Sequence, residues 1–201
     1  MIQKFKEHFN FTVLWSAFVV ISAVIGFSLG IFLVRDIDDH YYFALSVFLF
    51  IFVLSFSVGV GQWLALFINL RNFWIWIPLT AIGYSVGSFV FLFILASLGS
   101  TFLDYDELYF GAYPWILMTV TLLLTGMFTG CLQWIALGKK LKTSITWSVV
   151  SGVSLVIGFL YPFSPVAAYQ EPTPFLLVVC VLVYAVITGV FASSLIVSVK
   201  T

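Results

Sequence analysis

The sequence predicts an all-α fold: a polytopic six-helix transmembrane bundle built from three parallel helical-hairpin repeats around a pseudo-threefold axis. Three observations predict it. Hydrophobic residues make up 63% of the 201 residues and charged residues only 8%, whereas a soluble domain carries about 25% charged residues. The charges fall in short clusters that separate long uncharged runs. Finally, a glycine-glutamine-tryptophan element in one of these runs recurs later in the chain.

Six runs are long enough to cross a bilayer as helices, because about 20 apolar residues cover a hydrocarbon core roughly 30 Å thick. Backbone polar groups in lipid must be satisfied within the segment, which favours helices. The first run is too long for the apolar core of a signal peptide, so we expect an uncleaved first span. Residues 1–201 are expected to form a single transmembrane domain. The predicted spans are 12–34, 43–68, 73–98, 113–137, 144–161 and 175–199, the fifth being the shortest.

An internal repeat relates the even-numbered spans. The pattern G-x-x-Q-W-[L/I]-x-L occurs at Gly59–Leu66 and again at Gly130–Leu137, 71 residues later. The sixth span keeps a related glycine, Gly189, but has Ala192 where the glutamine would stand. A repeat of this kind indicates how the chain is built rather than what it does.

The odd-numbered spans share a second pattern, in which a tryptophan is followed eleven residues later by a glycine. Together the two patterns divide the chain into three hairpins, approximately 12–68, 73–137 and 144–199. Each repeat has an even number of spans, so every copy has the same orientation and the symmetry axis is expected along the membrane normal. The tryptophan and glycine pairs are Trp15 with Gly26, Trp76 with Gly87, and Trp147 with Gly158.

Small residues recur at helical spacing along these spans. Residues four and seven apart share a helix face, so Ser55, Gly59 and Gln62 form one stripe. Small residues allow helix backbones to approach closely in lipid. We therefore expect the glutamines to face a neighbouring helix or the bundle axis. The glycines assigned to helix packing are Gly26, Gly59, Gly87, Gly126, Gly130, Gly158 and Gly189.

The repeated element, followed by a basic turn and a helix that begins with tryptophan, resembles a group of small multi-span membrane proteins of cyanobacteria and other bacteria. The resemblance covers Gly59 to Gly87 and Gly130 to Gly158, under a third of the chain. It implies the membrane architecture and a bacterial setting, and it implies no activity. The mitochondrial carriers share a plan of three parallel hairpins, but the signature at the ends of their odd helices is missing from this sequence.

The charged loops predict the orientation. In a six-span arrangement, every lysine and arginine except Arg35 falls on one side, and every acidic residue except Glu7 falls on the other. Loops rich in lysine and arginine remain in the cytoplasm. We therefore expect both termini to be cytoplasmic and the acidic loops to be extracytoplasmic, in a bacterial cytoplasmic-type membrane.

Gln62 and Gln133 are the first candidates for contact with a ligand or partner, because an amide can hydrogen-bond a ligand, a lipid head group or a bent backbone. The alternative is that each glutamine bonds a neighbouring helix, at about 0.6 kcal/mol per bond on average.

Four tryptophans complete the candidate site. An aromatic belt is the alternative for them, although six of the seven tryptophans crowd toward the expected cytoplasmic face. The four are Trp63, Trp134, Trp76 and Trp147.

Charged residues and histidine are absent from the predicted spans. Proton relays, voltage sensors and retinal attachment all use such residues, and the sequence contains no catalytic or phosphate-binding motif. We therefore expect no enzymatic activity and no catalytic residue.

The acidic outer loops, with His40, lack a complete ligand spacing, so we expect no metal site. The sequence identifies no cofactor. Cys131 and Cys180 are expected at different depths, which disfavours a disulfide.

These features predict a non-catalytic integral membrane protein that binds a lipid, an apolar cofactor such as a pigment or quinone-like molecule, or a partner membrane subunit. No nucleic-acid partner is expected. The alternative is a small permease or the membrane substrate-binding component of a transporter, with both glutamines lining its site. A third hypothesis is an enzyme acting on lipid at the outer face through Asp38, His40 or Asp104.

Overall fold

In the residues that it describes, the computed structural model has six helices, in agreement with the number of spans that the sequence predicts. It describes residues 2–34, 43–70, 74–102, 113–136, 141–159 and 174–200. The helix expected to be shortest, the fifth, is the shortest, with 19 residues. The helices are α1 (Ile2–Val34), α2 (Phe43–Leu70), α3 (Trp76–Phe102), α4 (Tyr113–Ala136), α5 (Leu141–Phe159) and α6 (Pro174–Lys200).

Two helices extend beyond the uncharged runs from which the sequence predicts the spans. Helix α1 begins at Ile2, ten residues before the predicted span, because a helix can continue through the polar residues that flank an apolar segment. Helix α6 likewise runs to Lys200. Most of the charged residues that predict the orientation, such as Arg35, lie outside the described residues. So do His40 and the acidic loop residues that could serve as metal ligands.

Apolar segments of membrane-spanning length occur in three of the helices: Lys6–Val34, Leu45–Ile68 and Ile116–Ile135. The other three helices contain shorter apolar segments within the described residues: Trp76–Phe91, Ile145–Gly158 and Val178–Ser194. Large apolar side chains face outward on all six helices, among them Phe93 and Ile135, which are 68% and 72% exposed. A surface of this kind is compatible with a membrane location, because lipid solvates it as well as a protein interior would.

The helices form a closed ring. Each helix packs against the next along the chain, and α6 packs back against α1. The interior of the ring is more polar than its outer surface, since many buried side chains are threonine, serine or glutamine. Side-chain hydroxyls satisfy part of this polarity within their own helix; the Thr129 hydroxyl, for example, donates to the carbonyl of Thr125 at 2.8 Å. The ring therefore places hydrogen-bonding side chains at its centre.

Glycines allow the close approach of neighbouring helices. A Cβ atom on Gly61 of α2 would lie 2.5 Å from the carbonyl oxygen of Phe18 on α1. A Cβ atom on Gly126 of α4 would lie 2.6 Å from the Cα atom of Gly152 on α5. In both places the obstructing atom belongs to the backbone, so no side-chain rotation relieves the clash. The helix spacing at these two contacts therefore requires glycine.

Candidate functional site

Three tryptophans from alternate helices meet inside the ring. Trp15 of α1, Trp76 of α3 and Trp147 of α5 are at most 2% exposed. The ring centroid of Trp147 lies 6.4 Å from that of Trp15, edge to face, and 6.0 Å from that of Trp76. Aromatic pairs at such distances contribute about 0.5–1.5 kcal/mol beyond the area they bury. We call these three residues the indole cluster.

Each indole N–H of the cluster donates to an acceptor on the preceding helix of the ring. Trp76 donates to Oε1 of Gln62 on α2 at 2.9 Å, and Trp147 donates to Oε1 of Gln133 on α4 at 3.0 Å. The two pairs have the same sequence separation, 14 residues. A buried indole N–H needs an acceptor, and these glutamines supply it at two helix contacts.

The third indole, Trp15, donates to the hydroxyl of Thr188 on α6 at 3.1 Å. The sequence predicts Ala192 at this third place, and the structure corrects that expectation by one helical turn. Thr188 accepts from the indole and donates to the carbonyl of Tyr184 at 2.9 Å. Ala192 is buried but has no side chain able to accept a hydrogen bond. The third contact therefore uses a hydroxyl in place of an amide.

The contacts of the three glycines that the sequence pattern aligns explain the correction. Gly59 faces Ile77 and Thr80, and Gly130 faces Ser148 and Ser151. In each case the facing residues lie one and four positions after the cluster tryptophan. Gly189 instead faces Thr12 and Trp15 itself, the residues three positions before the tryptophan and at the tryptophan. Helix α6 is thus displaced along α1 by about one turn relative to the other two pairs, which brings Thr188 opposite the indole.

The two glutamines also bond each other. Nε2 of Gln133 donates to Oε1 of Gln62 at 3.0 Å and to the hydroxyl of Thr80 at 2.9 Å. Nε2 of Gln62 donates to the Tyr184 hydroxyl at 3.2 Å, and the hydroxyls of Tyr184 and Tyr84 share a further hydrogen bond. We call these residues, with the indole cluster and Thr188, the amide network. It joins side chains of all six helices.

The network fixes the orientation of both amides. An indole nitrogen only donates, so the amide atom facing it must be the oxygen. Each glutamine side chain takes part in three hydrogen bonds, and Gln62 and Gln133 are 0% and 1% exposed. A ligand could reach these amides only by displacing bonds between helices. All the groups of the network are neutral, and the arrangement offers hydrogen bonding and packing.

Four residues of the network, besides Trp15, were not singled out as site candidates from the sequence: Thr80, Tyr84, Tyr184 and Thr188. A signal for them exists. Thr80 and Tyr84 follow Trp76 by four and eight residues, and Thr188 follows Tyr184 by four. That spacing places each set on one helix face. Polar residues that share a face with each other or with a tryptophan in an otherwise apolar helix indicate a hydrogen-bonded contact.

The tryptophans that follow the glutamines lie in different surroundings. Trp134 is 3% exposed and belongs to the buried core. Trp63 is half-buried, and its ring lies 5.2 Å from that of Phe67. Its indole nitrogen is buried without a hydrogen-bond partner among the described residues. The two copies of the Gln-Trp element therefore bury their glutamines to the same extent, but they bury the tryptophans that follow them, Trp63 and Trp134, to different extents.

Metal-ligating side chains do not gather in the part of the chain that the structure describes, where no group of three or more His, Cys, Asp or Glu residues occurs. Both cysteines are free; Cys131 is exposed and Cys180 is buried. The thiol of Cys131 lies 3.1 Å from the Ser148 hydroxyl on α5.

A groove of about 350 Å³ opens on the outer surface between α1 and α2. Its walls are apolar, and two serines, one on each helix, lie among them. Phe52 and Phe56 stack along one wall with ring centroids 6.4 Å apart. The lining residues are Ser22, Ile25, Leu29, Phe52, Val53, Phe56, Ser57 and Val60. We call this the α1–α2 groove.

The chain matches no protein-family model, no curated protein and no solved structure.

Proposed function

We propose that this chain is a non-catalytic integral membrane protein that binds a lipid, an apolar cofactor or a partner membrane subunit at its outer surface. The observation that carries the proposal is that Gln62 and Gln133 are both buried and that each takes part in three hydrogen bonds with other helices. The polar groups of the amide network serve the ring itself. The outer surface, with its apolar groove, remains for a partner.

The same proposal includes six spans arranged as three parallel hairpins with pseudo-threefold symmetry. The order of helix contacts supports it, because a closed ring of six helices accommodates three hairpins. The indole bonds support it further, since they join α2 to α3, α4 to α5 and α6 to α1. Orientation follows from the basic loops: both termini lie in the cytoplasm and the acidic loops lie outside.

Among the six residues that the sequence suggests as a binding site, we assign different roles. Gln62, Gln133, Trp76 and Trp147 hold the helices together. Trp63 is half-buried, so the exposed part of its ring, and not its buried indole nitrogen, is the better contact for a partner at the membrane interface. Indole rings favour that region because one end is apolar and the other donates a hydrogen bond.

Native mass spectrometry of the protein released from mild detergent tests the proposal. We expect the folded protein to retain lipid, an apolar small molecule or a second subunit. The Gln133→Leu variant, which alters only the interior, is expected to retain the same complement. A bare monomer for the wild-type protein would contradict the proposal.

A transport component is the second candidate, and one observation favours it. The hydroxyl oxygens of Ser85, Thr121, Thr125 and Ser151 are buried without a hydrogen-bond partner among the described residues. If the ring opened, these hydroxyls and the two glutamines would offer a polar surface to a substrate. Flux or binding assays on the Gln62→Ala, Gln133→Ala double variant decide this candidate. Unchanged flux and binding would remove the glutamines from any transport site.

A further inference from the structure

We propose that one water molecule is bound in the interior of the ring, beside the paired hydroxyls of Tyr84 and Tyr184. This site goes beyond the proposed function, which concerns the outer surface of the ring. Two donor hydrogens of the amide network, both in this place, have no acceptor among the described residues. One water oxygen can accept both of them.

The tyrosine pair has one donor hydrogen more than it uses. Each hydroxyl carries a single hydrogen, and one of the two is donated across the bond that Tyr84 and Tyr184 share. If Tyr84 is the donor, the hydrogen of Tyr184 has no acceptor among the described residues, and if Tyr184 is the donor, the same holds for Tyr84. One hydroxyl hydrogen is therefore left over in either arrangement.

Gln62 contributes the second hydrogen. Its Nε2 carries two hydrogens and donates one to the Tyr184 hydroxyl at 3.2 Å, whereas the other has no acceptor among the described residues. The amide of Gln133 differs, because its Nε2 donates both hydrogens, one to Oε1 of Gln62 at 3.0 Å and one to the hydroxyl of Thr80 at 2.9 Å. Both leftover hydrogens therefore lie at the bond between Gln62 and the tyrosine pair.

Burial makes an acceptor for these hydrogens necessary. Gln62 is 0% exposed, and Tyr184 and Tyr84 are 4% and 8% exposed. A buried donor that leaves solvent without gaining an acceptor destabilises the fold, and a bilayer around the ring supplies no acceptor either. The acceptor is expected to be neutral, because no predicted span contains a charged residue or a histidine that would balance a buried anion.

Water also donates, which distinguishes it from a group that only accepts, such as a ketone oxygen. A buried water makes about three hydrogen bonds, so after accepting two it donates at least one. Two acceptors within the ring can receive it. Oε1 of Gln133 accepts from Trp147 alone among the described residues, and the Ser151 hydroxyl is buried without a partner among them. Water therefore leaves fewer buried groups unpaired than a ketone would.

Ser151 lies at the level of the tyrosine pair. Gly83, which precedes Tyr84 on α3, faces Thr129 of α4, since an added Cβ atom would lie 2.7 Å from the Thr129 hydroxyl. Gly130, which follows Thr129, faces α5, where its added Cβ atom would lie 3.1 Å from the Ser151 hydroxyl. These two contacts place Tyr84, Thr129 and Ser151 at one height along the ring.

Transfer of magnetisation from water to the glutamine side chains tests the site. The protein, labelled with nitrogen-15 in its glutamine amides, is reconstituted in phosphatidylethanolamine and phosphatidylglycerol vesicles for solid-state NMR, and the Gln62→Leu and Gln133→Leu variants assign the two signals. Gln133 is the matched control, because it is 1% exposed and donates both amide hydrogens to protein groups. We expect transfer to build up at least about fivefold faster at Gln62, because only its amide bonds a water at about 3 Å.

The Tyr84→Phe variant tests the donor count itself. It leaves two hydrogens without an acceptor, those of the Tyr184 hydroxyl and of the Gln62 amide, as many as in the wild-type protein. Transfer to Gln62 should therefore persist within about twofold, and an unshifted Gln133 signal shows that the variant is folded. Loss of the transfer in the folded variant would overturn the donor count.

The wild-type comparison alone can overturn the site. Equal transfer to both amides would mean that water wets the interior generally, and no transfer to either amide would mean that the interior is dry. The measurement is repeated with sodium gluconate in place of sodium chloride. Transfer to Gln62 that appears only without chloride would mean that an anion takes the place, which would overturn water as the ligand.

Discussion

The replacement Gln133→Leu tests the amide network most simply, because leucine has a similar size but neither donates nor accepts hydrogen bonds. The change removes three bonds, those to Trp147, Gln62 and Thr80. Side-chain hydrogen bonds between helices in a membrane contribute about 0.6 kcal/mol each on average. Their loss therefore costs about 2 kcal/mol. The Trp147 N–H left without its acceptor raises the expected cost toward about 3 kcal/mol.

A double-mutant cycle separates the shared bond from the rest. Gln62→Leu also removes three bonds, those to Trp76, Gln133 and Tyr184. The double variant loses five bonds instead of six, because one joins the two glutamines. We expect the two changes to be less than additive, by about 0.6 kcal/mol.

Equilibrium unfolding in mixed micelles of a mild detergent and sodium dodecyl sulfate, followed by tryptophan fluorescence, measures these free energies. The matched control is Ile135→Leu on α4, an outward residue near Gln133 in the chain, for which we expect a change below about 0.5 kcal/mol. A Gln133→Leu protein as stable as this control would refute the reasoning. Strict additivity of the two glutamine changes would refute the direct bond between them.

Three further predictions follow from the same contacts. Thr188→Val removes the acceptor of the Trp15 indole. In the same micelle assay it should lower the free energy of unfolding by about 1 kcal/mol, less than Gln133→Leu does. A loss of stability equal to or larger than that of Gln133→Leu would contradict the network. Gly126→Ala should abolish the folded monomer in size-exclusion chromatography, because its Cβ atom would lie 2.6 Å from the backbone of Gly152. Gly87→Ala should elute as wild type, because its Cβ atom would lie 3.2 Å from the methyl group of Thr125. Identical behaviour of the two variants would speak against the close α4–α5 contact. An apolar maleimide should label exposed Cys131 and leave buried Cys180 unmodified until the protein is unfolded. Peptide mass spectrometry measures the labelling. Equal labelling of the two cysteines in the folded protein would argue against the described position of α6.

The sequence predicts the six helices because uncharged length alone decides which segments can cross lipid. The repeat adds which residues occupy matching positions, and Gln62 and Gln133 do occupy matching places, each accepting from a tryptophan 14 residues later. The 71-residue shift between the two copies is sufficient to match these positions, whereas the bonds to the tryptophans come from the structure. The matched positions require no knowledge of how two helices align with each other.

The partner of Trp15 depends on such an alignment. Helix α6 has two small residues one turn apart, Ala185 and Gly189, and either one matches the glycine of the repeat. The first alignment places Thr188 opposite the indole, and the second places Ala192 there. Contacts of the whole ring select the first. The bond between Tyr84 and Tyr184, 100 residues apart, depends in the same way on the closed ring.

A density map of the wild-type protein in lipid nanodiscs, at a resolution that shows side chains and lipid chains, tests the central claim most directly. That claim is that the glutamines serve the ring and that the partner lies outside it. We expect continuous density between each glutamine and its tryptophan, and non-protein density on the outer surface of the ring. Non-protein density between Gln62 and Gln133, with the indoles turned away from both amides, would contradict the account.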